Sequence, residues 1–167
     1  MNLLGEVHGK QSALVAEDIG LEERIEAALE ASGRSWKRRE GSWVVPANER
    51  LPREIRIIPQ TDGVRIEVVL IGWDEIGEVE SLALGRMLCR AQFDLRFARC
   101  EMENHQVRIV AFVEPSFVER DLPDALAGVV MGCRLLAREV GVLLAPEMAR
   151  TFLAFLDGVD GVEKKRD

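Results

Sequence analysis

The sequence predicts an α+β fold, a largely antiparallel sheet with helices packed on it, in the order α-β-β-β-α-β-β-α plus a short C-terminal helix. Three observations predict it. Apolar residues recur at helical spacing in well-separated stretches, they alternate at period two in the stretches between, and the alternating stretches come in adjacent pairs joined by polar turns. Strands joined by short turns are antiparallel, because a parallel pair needs a crossover of about a dozen residues or more.

The first 13 residues are mixed and glycine-bearing and read as a flexible arm. A helix follows from about Leu14 to Ser32, where Leu21, Ile25, Ala28 and Leu29 face one way and Glu22, Glu23 and Glu26 the other. Gly20 is a weak point in it and Gly33 a natural stop. From Arg34 the period becomes two. Trp36 and Trp43 flank the turn-prone Glu40-Gly41-Ser42, which predicts a short hairpin ending before Pro46. Ile55 and Ile57 then alternate with charged residues up to Pro59. After Thr61-Asp62-Gly63, Val64, Ile66, Val68 and Leu70 do the same, a second antiparallel pair.

Val79, Leu82, Ala83, Met87 and their neighbours keep a helical beat to about Ala91. Phe93 to Met102 and Val107 to Val113 read as the last hairpin, with the phase shift between Phe97 and Cys100 assigned to a β-bulge. Asp121 is placed as the N-cap of a long helix, with Pro123 in its first turn. The apolar residues of that helix, from Leu122 to Leu144, cover more than one face, so it should lie against the sheet and against something else besides. Pro146 opens a short last helix. The expected organisation is therefore an arm over 1–13, one α+β domain over 14–157 and a charged tail over 158–167.

The chain has 167 residues, of which 47% are hydrophobic and 31% charged, enough to close a core without a disulfide or metal staple. A net charge of −7 argues against general nucleic-acid binding, which draws on a surplus of cations. Cys89, Cys100 and Cys133 are odd in number and sit in apolar or alternating patterns, which reads as buried, reduced thiols. No apolar run approaches the roughly 18 residues of a membrane span, and no signal-peptide core is visible, so the cytoplasm is the expected compartment.

Motifs for catalysis fail one by one. Gly5 to Gln11 has three residues between its glycines where a phosphate loop needs four, and Gln11 where it needs Ser or Thr. Glu101, Glu103 and His105 share one strand face, a pattern a metal could use but one that a solvated hairpin end also produces. There is no serine elbow. Cys89, near Arg86 and Arg90, is the one candidate nucleophile, and Asp74, Glu75 and Glu101 are the carboxylates an alternative enzyme reading would use. Lys37, Arg38 and Arg39 between two tryptophans define a third reading, single-stranded nucleic-acid binding through the 36–43 hairpin.

The run Ser81-Leu82-Ala83-Leu84-Gly85-Arg86-Met87-Leu88, the two strands after it, and Asp121-Leu122-Pro123-Asp124-Ala125-Leu126 opening a long helix resemble the YbjN-like and type III secretion chaperone-like superfamily over about 14–144. The resemblance implies a small acidic α+β protein, commonly a homodimer, that presents apolar patches to an extended segment of a client protein or regulates through protein contacts. The helix after Pro146 and the N-terminal arm depart from that pattern, and either could cover such a patch. The expected function is thus non-catalytic protein binding, as a chaperone or regulatory adaptor, with no cofactor and no metal. Its partners would be a second copy and an unidentified protein client. Leu84, Leu88, Met131 and Leu135 are the candidate contact residues, taken from apolar rows larger than one core absorbs.

Overall fold

Period-two alternation buries one face of each strand, and the strands assemble accordingly. In the computed structural model, which describes residues 20–48, 51–92, 95 and 97–163, the strands are β1 (Lys37–Arg39), β2 (Ser42–Asn48), β3 (Leu51–Gln60), β4 (Gly63–Gly72), β5 (Arg99–Glu103) and β6 (Gln106–Val113). They form one six-stranded sheet in the order β1-β2-β3-β4-β6-β5, antiparallel throughout. The helices are α1 (Leu21–Ala31), α2 (Glu78–Ala91), α3 (Val118–Val142) and α4 (Pro146–Glu163). The fold is α+β with helices on an antiparallel sheet, and the chain order carries four strands before α2: Lys37–Arg39 pairs with β2 in the hairpin expected there, and β3 pairs with β4.

Two of the hairpins close on two-residue loops whose residues are both left-handed: Glu40 and Gly41, with φ of 49° and 72°, and Asn104 and His105, with φ of 49° and 59°. That is the type I′ geometry, whose twist matches the strands it joins. The prolines do not end their strands. Pro46 lies in β2 beside a register irregularity, and Pro59 lies beyond the last β2–β3 pair, Trp43 with Ile57, where a missing N–H breaks no ladder bond.

The expected strand from Phe93 is the largest departure. β5 begins only at Arg99; Leu95 and Phe97 lie outside it, Phe97 has φ of 61°, and residues 93, 94 and 96 lie outside the described residues. The phase shift therefore marks where the chain bends before the strand, not a bulge within it. Asp121 likewise is not an N-cap. A single 3₁₀ turn at Pro115–Phe117 leads into α3, which starts at Val118, so Asp121 and Pro123 sit inside the helix and Asp121 pairs with Arg120. The helix from Leu14 is observed from Leu21, with Gly20 as its N-cap, and 14–19 lie outside the described residues, as does the arm. α4 is longer than expected and runs to Glu163, across the boundary placed at 157; the tail beyond it, 164–167, lies outside the described residues.

The inward rows of the strands, among them Trp43, Ile55, Ile57, Ile66, Val68, Leu70, Val107 and Ile109, form one apolar cluster with the buried faces of all four helices. α3 crosses β4 and β6 at the centre of that cluster, with α1 beside it. Gly132 makes the close approach possible: a Cβ there would lie 2.7 Å from Ile109 Cδ1 and 3.1 Å from Leu95 Cδ2. The opposite sheet face carries no helix among the described residues. There, oppositely charged side chains pair along β4, along β5, and from β4 to β5 over the intervening β6. Arg65 bonds Glu67 at 2.9 Å and Glu101 at 2.7 Å, and Arg99 bonds Glu101 at 2.9 Å. Val110, in register between Glu67 and Arg99, is buried beside them although it does not belong to the core cluster.

Candidate protein-binding surface

α3 is apolar on two sides. One row, Leu122, Leu126, Val129, Cys133, Leu136 and Val140, is buried against the sheet. A second, Met131, Leu135 and Val142, points to solvent at spacings of four and seven residues, which keeps it on a single helix face. Met131 is 50% exposed and Leu135 45%. These two candidate contact residues are where a surface reading needs them. Leu84 and Leu88 are not: they are 0% and 5% exposed and belong to the core. α2 turns its Leu84–Leu88 side inward with Ala83, Met87 and Ala91, because it has to cover the β5 end of the sheet as well as support α4.

The outward row of α3 continues into a groove. Ala149 and Leu156 are buried, with Phe152 and Leu153 half-buried, while Met148 and Phe155 on the adjacent side remain exposed, Phe155 at 65%. Met148, Phe155, Val142 and Met87 line an apolar groove of about 430 Å³ between α4, the end of α3 and α2. Arg138 and Glu139 stand at its α3 rim. Methionine is suited to such a surface, because its unbranched thioether repacks against ligands of different shape. Sequence reasoning missed this groove, although Met148, Phe152 and Phe155 recur at helical spacing; the row reads equally well as the buried face of α4.

The other candidate residues are not brought together. Cys89 is exposed rather than buried as expected, on the α2 wall of a broader cavity of about 940 Å³ with Leu82, Gly85 and Arg90. Its neighbour Arg86 is engaged by Asp157 at 2.9 Å. Cys133 is buried and Cys100 half-buried, and burial pushes both thiols up to about 11. Partial burial works to raise the Glu101 carboxyl, but hydrogen bonds from Arg65 and Arg99 outweigh it and hold the group below the usual carboxylate range. Its oxygens are thus committed to arginines.

Asp74 and His105 do meet, through a contact of 3.1 Å between His105 Nδ1 and the Asp74 main-chain oxygen, which leaves the carboxylate uninvolved. Among the described residues, no three His, Cys, Asp or Glu side chains gather where a metal ion could be held. In the 36–43 hairpin Trp43 is fully buried, donates from Nε1 to Glu26 at 3.0 Å, and lies under Arg38 at 5.3 Å. It offers no free face for a base to stack on. No described helix is long and apolar enough to cross a membrane. Compared with known proteins, the chain matches no family model and no curated protein.

Proposed function

We propose that this protein is a non-catalytic, homodimeric protein-binding module that acts in the cytoplasm as a secretion-chaperone-like or regulatory adaptor. The observation that carries the reading is the apolar surface running from Met131 and Leu135 on α3 into the groove of Val142, Met148 and Phe155. A helix that buries one apolar row in its own core and turns another outward has a second surface to satisfy. A groove between helices with an apolar floor and a charged rim suits the apolar face of an amphipathic segment from a client.

Peptide display against the immobilised protein tests it. The expected result is enrichment of peptides with apolar residues at helical spacing, together with a loss of affinity of at least about tenfold in Phe155→Asp or Met148→Asp, as for a central anchor side chain. Both side chains are already exposed, so thermal unfolding should be little changed. Failure of the wild type to enrich any peptide, or equal binding by the variants, overturns the client-binding reading. Light scattering tests the dimer, with a mass of two chains expected.

A further inference from the structure

The two edges of the sheet are built differently. β1 is three residues long, Lys37-Arg38-Arg39, all charged and all exposed, a design that repels a further strand. β5, at the other edge, is five residues long and presents Met102 at its rim, with exposed Phe97 just before it. Which backbone groups β5 offers follows from its neighbours. Trp73 N–H donates to His105 O at 3.0 Å, so His105 and, two residues on, Val107 direct their main-chain groups toward β4, and Gln106, Arg108 and Val110 direct theirs toward β5. Through the register, Glu103, Glu101 and Arg99 bond inward, and Cys100 and Met102 point their N–H and C=O to the free edge. Gln92 Nε2 donates to Cys100 O at 2.9 Å, as it can only if that carbonyl faces away from β6. No described residue bonds the outward main-chain groups of Met102.

We propose that β5 is the dimer seam: it pairs antiparallel with β5 of a second copy about a two-fold axis through Glu101, joining two six-stranded sheets. This rests on the dimeric reading above. In that register Cys100 and the second copy's Met102 exchange both main-chain hydrogen bonds, and the symmetric pair does the same. Arg99 stands opposite the second copy's Glu103 on the open sheet face, twice over. The two Glu101 carboxylates face each other at the axis, each already held by Arg65 and Arg99.

The neighbouring registers that keep the same hydrogen-bond parity are poorer. One sets Glu101 against Glu103 twice. The other pairs only three residues of each strand and runs Glu103 into Phe97, whose left-handed backbone cannot extend the ladder. Pairing requires only that the Gln92 amide swing off Cys100 O, its place being taken by the second copy's Met102 N–H. Gln92 is therefore a side-chain guard on an edge that a second copy displaces.

Sedimentation of the full chain tests the seam. Met102→Pro removes an N–H that points away from β6, so β5–β6 pairing stays intact while two seam bonds per dimer are lost; the expected result is a folded chain whose dimer is at least about tenfold weaker. Glu103→Arg, which sets Arg against Arg99, should weaken the dimer severalfold, and adding Arg99→Glu should restore it. This charge swap keeps the test decisive where the proline variant fails to fold. A dimer indifferent to all of these overturns the seam and leaves the dimeric reading standing, whereas a wild-type monomer at every concentration overturns both.

Discussion

At the scale of single residues, the cysteines show how far local pattern reaches. All three read as buried because each sits in an apolar context, yet Cys89 is exposed while Cys133 and Cys100 are not. What separates Cys89 from the rest is helical phase: it sits one position beyond Leu88, so that when α2 turns Leu84 and Leu88 inward, Cys89 turns out. The same rotation explains why Leu84 and Leu88 are core while Met131 and Leu135 are surface; period identifies an apolar row, but only packing decides which of two rows is covered. The consequence is a difference in thiol chemistry. The thiolate is the reactive form, and burial pushes Cys100 and Cys133 up to about 11, so at pH 7.5 only about one in three thousand of those two groups is ionised. Alkylation of the native protein with iodoacetamide should therefore modify one cysteine quickly, mapped to Cys89 by peptide mass, with the other two reacting only on unfolding. Comparable rates for all three would show that burial does not protect them.

At the scale of elements, strands and helices were legible wherever a period ran for two turns or more, and the boundaries were lost where one residue carried two meanings. Pro123 reads as part of a helix's first turn, but α3 begins five residues before it and absorbs it. Phe93 to Phe97 alternates like a strand, but Phe97 is left-handed and Leu95 lies against Gly132 of α3, a contact that no local pattern encodes. Starting α3 at Val118 has an electrostatic result, because it brings Glu119 of its first turn to Arg24 of α1 in a two-bonded ion pair. The hydrogen bond from Arg24 holds the Glu119 carboxyl down at about 2. A carboxyl lower in the folded than in the unfolded chain adds stability that is complete above its unfolded value of 4.5 and is lost as pH falls toward about 2. Glu119 is half exposed, so solvent screening limits the contribution to about 1 kcal/mol or less. Urea unfolding of Glu119→Gln should thus show a deficit of that size from pH 5 to 7 that shrinks between pH 4.5 and 2. A deficit unchanged at pH 2 would assign the loss to packing instead of charge.

At the scale of the whole molecule, the open sheet face and the apolar groove were both invisible in the sequence, since each depends on which elements end up side by side. Charges such as Arg65 and Glu101 look like ordinary solvated positions until the strand order places β4 and β5 on either side of β6 and lets the two side chains meet over it. The same layering predicts an uneven distribution of stability. α3 packs on β4, β6 and α1, so it opens only if the core opens. α4 is attached differently, resting on α2 through a short row in which Ala149 joins the main cluster and Leu156 is buried outside it. Hydrogen exchange should therefore rank α3 and the central strands as slowest and α4 as faster, through an opening that leaves the sheet intact. Leu156→Ala isolates that opening: removing a buried leucine costs about 2 kcal/mol or more, which speeds exchange in α4 and on the facing side of α2 by roughly thirtyfold. β4, β6 and α3 should keep their rates as long as global unfolding is not limiting. If every element speeds up alike, α4 unfolds only with the rest and the groove it borders is rigid; if the effect stays local, the wall carrying Met148 and Phe155 can move without unfolding the molecule, which is the freedom the proposed binding of differently shaped segments requires.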